Sequence, residues 1–264
     1  MGYKYVSVSK ENRIAVVRFD QGHRMNPLSV DLMEELTDVA RSFETDTETN
    51  AVILTGNGEN FSAGFDLKGA SLKQRMEAGI LERRVLQAVG PRMCQAWENI
   101  EPMTIAAVDG YCIGGGVALA VSLDFRVSAS TASYYVPEIK NGMNMSWNSI
   151  PRMVNLIGPA RTKQLSIIAD IIPAEEAHRW GLVEEIAEGD CAFDLAMEYA
   201  QKIAARPPIP VRMIKKGASA AANALNQATS FMDIDQFTLT TLTEDYAEGI
   251  QAFLEKRDPD FKGK

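Results

Sequence analysis

The sequence predicts an α/β core followed by a helical C-terminal region. In the first part of the chain, short continuous apolar runs such as residues 51–54 and 104–108 alternate with amphipathic segments. After about Pro151 no long apolar run of this kind recurs. Alternating strands and helices are typical of βαβ units, whose parallel strands are buried on both faces. We therefore predict an α/β core over residues 1–200 and a helical region over residues 201–264.

Periodicity predicts the elements of the core in order. Residues 5–8 and 14–19 alternate around a polar turn, which predicts a β-hairpin. Apolar residues then recur at a spacing of three to four, which predicts an amphipathic helix entered through Asn26-Pro27 and Ser29. The apolar positions of this helix are Leu28, Leu32, Leu36, Val39 and Phe43.

The remaining elements are predicted in the same way. A strand is expected at residues 125–129 beside those at residues 51–54 and 104–108, and the Pro-rich residues 206–210 predict a rigid break. The predicted helical segments are residues 73–99 with an interruption at Gly90-Pro91, and residues 117–121, 160–169, 173–180, 192–205, 211–219 and 223–256.

Composition argues against several classes of function. The net charge of −8 gives no overall attraction to nucleic acid. Three scattered cysteines and two histidines favour neither a disulfide framework nor a zinc site. No apolar stretch approaches the length of a membrane span, and the first ten residues do not look like a signal peptide. We expect a soluble, cytoplasmic protein without a metal.

Two glycine-containing turns follow predicted strands. The first turn is Phe61-Ser62-Ala63-Gly64-Phe65-Asp66-Leu67, and the second is Gly110-Tyr111-Cys112-Ile113-Gly114-Gly115-Gly116. Ligands of open α/β sheets bind at the carboxyl ends of strands. Glycines before a helix also expose backbone N–H groups to an anionic oxygen. Taken alone, three glycines are more often a plain flexible turn, and neither turn matches a phosphate-binding or dinucleotide motif.

Seven segments in order make the chain resemble the crotonase, or enoyl-CoA hydratase/isomerase, family along nearly its whole length. They are Met25-Asn26-Pro27-Leu28, the first turn from Phe61 to Leu67, Ala106-Ala107-Val108-Asp109 with the second turn to Gly116, Leu123-Asp124-Phe125-Arg126, Pro137-Glu138-Ile139, Ala174-Glu175-Glu176-Ala177-His178-Arg179-Trp180-Gly181-Leu182-Val183, and Glu248-Gly249-Ile250-Gln251-Ala252-Phe253-Leu254-Glu255-Lys256-Arg257. The resemblance implies an α/β core of the crotonase type, a ββα spiral, with a C-terminal helical trimerisation region. It also implies acyl-CoA thioester substrates, no separate cofactor, and a homotrimer or a dimer of trimers.

The resemblance implies that two backbone N–H groups form an oxyanion hole. They are those of Phe65 and Gly115, which would hold the thioester oxygen as negative charge develops on it. Donors placed in advance for such an oxygen are worth about 3–4 kcal/mol each in comparable sites.

Of the two glutamates that family hydratases carry, the chain keeps one. Glu138 matches the second, whereas Ala118 stands where the first is expected. Water addition is served best by two positioned groups, whereas moving a double bond needs only one acid/base. We therefore expect Δ3-Δ2 enoyl-CoA isomerisation with Glu138 as the sole acid/base, its pKa raised by an apolar pocket.

Three alternatives remain open. Glu138 and a water held by Asn144 or Ser146 could serve a hydratase or a thioester hydrolase. The chain could also bind acyl-CoA without catalysis, or be a structural component of a trimer.

Residues around the acyl and coenzyme A groups are implied by the same resemblance. Lys68 and Arg24 would meet phosphates, and Phe253 and Lys256 would reach a neighbouring subunit's nucleotide, although such basic residues are equally typical of a solvated surface. Trp147 replaces a small residue near the acyl pocket, but packing in the core or at a trimer interface is the more usual role of a tryptophan. The full set is Arg24, Met25, Leu28, Ala63, Asp66, Leu67, Lys68, Tyr111, Gly114, Ala118, Pro137, Asn144, Ser146, Trp147, Phe253 and Lys256. Cys112 has no evident histidine partner, so we do not expect it to be a nucleophile.

Overall fold

Nine strands form two sheets in the computed structural model, which describes residues 2–68 and 70–264. The strands are β1 (Val6–Glu11), β2 (Ile14–Phe19), β3 (Ala51–Thr55), β4 (Met103–Val108), β5 (Tyr111–Ile113), β6 (Phe125–Ala129), β7 (Ser133–Tyr135), β8 (Ile172–Pro173) and β9 (Glu185–Ala187). The larger sheet has the order β1-β2-β3-β4-β6-β9, and β5, β7 and β8 form the smaller one. In the larger sheet only β1 is antiparallel to its neighbour, so the other five strands end at one edge.

Twelve α-helices cover and extend these sheets. They are α1 (Val30–Ser42), α2 (Ala70–Glu77), α3 (Ile80–Gln87), α4 (Val89–Asn99), α5 (Gly115–Ala120), α6 (Ser149–Lys163), α7 (Ala174–Trp180), α8 (Phe193–Ala204), α9 (Pro208–Ala222), α10 (Asn226–Ser230), α11 (Asp233–Thr240) and α12 (Glu244–Glu255). A short 3₁₀ helix, Glu138–Asn141, precedes α6, and a π-helical turn, Gln164–Ile168, follows it.

Strand β3 is buried on both faces, as its continuous apolar run predicts. Val52 and Leu54 belong to the main core cluster with α1, whereas Ala51 and Ile53 pack with the alanine face of α8. Helix α1 begins as expected, because the Ser29 hydroxyl accepts a hydrogen bond from the Leu32 N–H at 3.2 Å.

Several predicted boundaries are wrong. Helix α6 begins at Ser149 rather than at residue 160. Gly158 and Pro159 therefore lie inside this helix, where they produce a kink. Strands β5, β7, β8 and β9 were not predicted, because two or three residues are too few to show a period.

The C-terminal region also differs from the prediction in detail. The rigid break is shorter than residues 206–210, since α9 starts at Pro208 and a proline is tolerated in a first helical turn. Residues 223–256 form three helices rather than one. The boundary drawn between residues 200 and 201 falls within α8, and the division into two regions stays a prediction.

No helix in the described ranges is long and apolar enough to cross a membrane. Among residues 2–68 and 70–264, no three metal-ligating side chains come together.

Candidate functional site

The two glycine-containing turns lie against each other at the carboxyl ends of β3 and β4. Backbone bridges join Leu28 to Phe65 and Ser62 to Cys112, and the Ile113 N–H donates to the Ser62 carbonyl at 2.8 Å. Gly64 has a φ of +81°, and a β-carbon there would lie 3.1 Å from the Gly115 nitrogen. The fold therefore brings the backbone of the Phe65 turn next to the Gly115 turn.

The N–H groups of Phe65 and Gly115 donate to no acceptor among the described residues. Two of the neighbouring N–H groups are engaged within the protein. The Gly114 N–H donates to the Tyr135 carbonyl at 2.8 Å, and the Asp66 N–H donates to the Leu28 carbonyl at 3.2 Å. The Phe65 and Gly115 N–H groups therefore remain available as donors to a ligand oxygen.

The Glu138 carboxylate lies beside this pair of turns. It belongs to the first residue of the 3₁₀ helix, and a β-carbon on Gly114 would approach its Oε1 to 2.5 Å. Its Oε2 is buried and has no hydrogen-bond partner among the described residues. Burial raises the pKa of Glu138 to about 7, and only its own backbone N–H opposes this shift. The carboxyl group can therefore change its protonation state near neutral pH.

A cavity of about 70 Å³ connects Glu138 to the two glycine-containing turns. Ala118 lines it on α5, and its methyl group cannot move a proton. Trp147 forms another wall, and its indole lies so close to Gly115 that a β-carbon there would meet Cη2 at 2.6 Å. The other apolar lining residues are Phe65, Leu67, Leu72, Met76, Met143, Met145 and Phe237.

The Trp147 segment is held in an unusual conformation. Trp147 and Asn148 have φ values of +61° and +55°, which are costly for non-glycine residues. Asp233 of α11 accepts hydrogen bonds from the Ser146 hydroxyl at 2.7 Å and the Asn148 N–H at 3.3 Å. Arg152 donates to the Trp147 carbonyl at 3.0 Å. These buried polar groups stabilise the turn that positions Trp147.

The two residues considered as water ligands already have protein partners. Asn144 Oδ1 accepts from the Thr240 hydroxyl at 3.0 Å, and Asn144 does not line the cavity. Ser146 does line it, but its hydroxyl donates to Asp233.

An open groove runs along the outer side of the turns. Of the residues expected around coenzyme A, this groove is lined by Met25, Ala63, Asp66, Leu67, Lys68, Pro137 and Phe253, together with His23, Lys140 and Arg257. Arg24 instead pairs with Glu59 at 2.7 Å, and Tyr111 and Lys256 also lie outside the groove. Leu28 is fully buried beneath the turns.

Sequence reasoning missed a polar part of the cavity wall. Arg75 of α2, Arg83 of α3 and Tyr246 of α12 line the same space as Glu138. An arginine in a short amphipathic helix is ordinarily solvated, so the sequence offered no signal that these two are buried.

Three other reactive residues do not line this cavity. Burial raises the pKa of the Cys112 thiol, and His178 Nδ1 lies 3.0 Å from the Val183 carbonyl. Asp124 forms an ion pair with Lys215 at 2.7 Å.

Comparison with known proteins identifies the family and the fold. A sequence model of the enoyl-CoA hydratase/isomerase family matches residues 9–264. The chain is 32% identical to a crotonyl-CoA hydratase of Syntrophomonas wolfei over 100% of both chains. It is also 32% identical to a short-chain-enoyl-CoA hydratase of Clostridium acetobutylicum, with 96% of this chain and 95% of the other covered. A solved enoyl-CoA hydratase/isomerase from Pseudoalteromonas atlantica superposes with a TM-score of 0.86 at 25% identity, covering 98% of this chain and 100% of that one. These matches confirm the crotonase-type fold, and the chain belongs to the enoyl-CoA hydratase/isomerase family of enzymes.

Proposed function

We propose that this enzyme adds water across the double bond of a 2-enoyl-CoA thioester. The observation that carries the proposal is the enclosed, unpaired Glu138 carboxylate beside two free backbone donors, those of Phe65 and Gly115. The names of both relatives that are 32% identical over nearly the whole chain favour hydration over the isomerisation expected from the sequence.

The proposed reaction needs one side-chain acid/base. The thioester oxygen accepts hydrogen bonds from the Phe65 and Gly115 N–H groups. Glu138 removes a proton from a water molecule as the water oxygen bonds to C3, and the C2–C3 π electrons move onto the thioester as an enolate. Protonated Glu138 then returns that proton to C2, so one water is added and the carboxylate is regenerated.

The surroundings of Glu138 suit both halves of this cycle. A carboxyl group with a pKa of about 7 is a stronger base than an ordinary glutamate and still delivers its proton at neutral pH. The enolate is stabilised in a mostly apolar cavity, where backbone dipoles act more strongly than in water.

Isomerisation is the second candidate, and Ala118 is the observation that favours it. With a methyl group at this position, Glu138 has no carboxylate partner on α5 to activate the water. The same Glu138 could remove a proton from C2 of a 3-enoyl-CoA and return it at C4, leaving a 2-enoyl-CoA.

Two parallel assays separate the candidates. Purified enzyme is mixed with 2-pentenoyl-CoA or with 3-pentenoyl-CoA, and the absorbance of the conjugated thioester is followed. Hydration lowers the absorbance of the first substrate, whereas isomerisation raises that of the second. Loss in the first assay with no gain in the second supports hydration, and the reverse result replaces it with isomerisation.

The role of Glu138 is tested in the same assays with Glu138→Gln. We expect a loss of about 100-fold to 10,000-fold in kcat. Glu175→Gln serves as the control because Glu175 is exposed on α7. Equal activity of Glu138→Gln and the wild type would contradict the proposed mechanism.

The remaining expectations are proposals that accompany this function. The coenzyme A part of the substrate is proposed to lie in the open groove, where Lys68 and Lys140 supply positive charge. The proposed steps use only Glu138 and backbone donors, so we propose no separate cofactor. We also propose a homotrimer or a dimer of trimers, as the resemblance to the family implies, and a cytoplasmic location, as expected from the sequence.

A further inference from the structure

Two buried arginines line the cavity that holds Glu138. Arg75 and Arg83 are 8% and 9% exposed, and they come from the consecutive helices α2 and α3. Tyr246 of α12 joins them in the wall. The three groups lie near one another. Burial raises the pKa of the Tyr246 hydroxyl, and the positive charges of both guanidiniums partly offset that rise.

Neither guanidinium has a carboxylate partner among the described residues. Arg75 Nη2 donates to the Leu86 carbonyl at 2.9 Å. Arg83 donates to the carbonyls of Thr241 at 3.1 Å and Met76 at 2.7 Å. The Nε atoms of both arginines are buried without an acceptor within residues 2–68 and 70–264.

The other two buried arginines show how this chain ordinarily compensates such a charge. Arg126 is paired with Glu184, and Arg152 is paired with Glu98 at 2.8 Å. A buried charge without a counter-ion is strongly unfavourable. The positive pair at Arg75 and Arg83 is therefore an exception that calls for an anion from outside the described chain.

Glu138 does not serve as that anion. Burial raises its pKa, and no described cation lowers it. Arg75 instead places its Cζ 4.1 Å from the ring centroid of Phe65, and this cation–π contact compensates only part of the buried charge. Desolvation lowers the pKa of Arg75 to about 10, so it remains protonated at neutral pH.

We propose that the acyl group of the substrate ends in a carboxylate, which Arg75 and Arg83 bind with the Tyr246 hydroxyl as a further donor. This inference rests on the proposed acyl-CoA function and names the substrate class within it. The anion belongs to the acyl part because both arginines line the cavity shared with Glu138, not the open groove where Lys68 and Phe253 lie.

The size of the cavity favours a short acyl chain. The space is about 70 Å³. A short unsaturated dicarboxylic acid, joined to coenzyme A through one carboxyl group, suits such a space. A guanidinium group also binds a carboxylate through two parallel hydrogen bonds and carries the opposite charge.

The test compares two unreactive thioesters that differ only at the far end of the chain. Pentanedioyl-CoA ends in a carboxylate and pentanoyl-CoA ends in a methyl group. Calorimetry on the full-length enzyme is expected to show that the diacid thioester binds about tenfold to 100-fold more tightly. Equal affinities in the wild type would overturn the proposal.

Variants test whether the two arginines cause the preference for the diacid thioester. Arg75→Met and Arg83→Met are each expected to abolish most of it while binding of pentanoyl-CoA is retained. Arg75→Lys is expected to keep part of the preference because it keeps the charge. Arg84→Met is the matched control, since Arg84 neighbours Arg83 in sequence but pairs with Asp235 at the surface. A preference that survives both methionine variants would also overturn the proposal.

The saturated thioesters do not react, so this outcome is independent of the proposed hydration. Turnover of 2-pentenoyl-CoA and 2-pentenedioyl-CoA is measured in parallel. Hydration without a diacid preference in the binding experiment would refute the anion site alone. A diacid preference without hydration would refute the proposed reaction alone. If a methionine variant fails to fold, the wild-type comparison still decides the proposal.

Discussion

At the scale of single residues, Gly114 and Glu138 depend on each other. Gly114 has a φ of +51°, a value that favours glycine, and its missing β-carbon leaves the space that the Glu138 carboxylate occupies. The carboxylate is in turn buried there, and burial raises its pKa. One glycine therefore sets both the position and the acidity of the proposed acid/base.

Replacing Gly114 with alanine is expected to reduce activity at least tenfold and to destabilise the fold by about 1–3 kcal/mol. The added β-carbon would overlap Glu138 Oε1 and would occupy a left-handed backbone position. Thioester turnover and denaturant unfolding measure the two effects. Gly217→Ala is the control, because open space surrounds that position within α9, and it should be neutral or stabilising. Full activity in Gly114→Ala would show that the carboxylate has another position available.

The raised pKa of Glu138 makes a prediction about stability and pH. The folded-state pKa of about 7 lies above the ordinary value of 4.5, so the folded protein binds more protons between these two values. The free energy of unfolding contributed by Glu138 therefore falls as pH rises through this window. Glu138→Gln removes this contribution, and the variant should gain up to about 3 kcal/mol relative to the wild type between pH 4.5 and pH 8.

Unfolding of both proteins in denaturant at matched pH values measures this gain. A stability difference that stays constant across the window would contradict the raised pKa. In the activity assay, the same ionisation predicts that kcat/KM of the wild type falls as pH drops below about 7.

At the scale of elements, α11 controls the wall of the cavity. Its Asp233 fixes the turn that carries Trp147, and the strained φ of Trp147 persists because those buried hydrogen bonds hold it. Helices α2, α3 and α12 contribute the polar part of the wall, which consists of Arg75, Arg83 and Tyr246. The cavity is thus assembled from elements that are far apart in the sequence.

Asp233→Ala is expected to destabilise the protein by about 2 kcal/mol and to raise KM for an acyl-CoA substrate. Ser146 and Asn148 would each lose an acceptor, and the Trp147 turn would be free to relax. Asp235→Ala is a close control on the same helix, since Asp235 forms a surface pair with Arg84. Equal stability and KM of these two variants would argue against the anchoring role of Asp233.

At the scale of the whole molecule, the helical regions leave many large apolar side chains exposed. They include Ile80, Leu81, Ile209, Met213, Ile214, Leu225, Phe231 and Leu239. Large exposed apolar surface is typical of protein–protein interfaces. The distribution is consistent with the expected homo-oligomer, which stays a prediction.

Light scattering of the purified protein tests this expectation. The chain mass is 29.0 kDa, and we expect a particle of about three or six times that mass. Dilution should not produce monomer at micromolar concentrations, because an interface that buries this apolar surface would be obligate. A stable particle of one chain would show that the exposed helices serve another purpose.

The sequence by itself determined the fold class, the order of the main elements and the family. The pattern of apolar residues predicts buried strands such as β3, and a serine before an amphipathic segment predicts the Ser29 cap of α1. Both features depend on residues that are close together in the sequence. The turns around Phe65 and Gly115 and the position of Glu138 could also be read from short motifs.

Only the tertiary structure decided the character of the cavity. Whether Arg75 and Arg83 are solvated or buried, and whether Trp147 packs in the core or over Gly115, depends on contacts between distant segments. Burial and charge compensation are properties of the assembled fold, because they arise from what surrounds a side chain rather than from its neighbours in sequence. The substrate class that we propose follows from those surroundings.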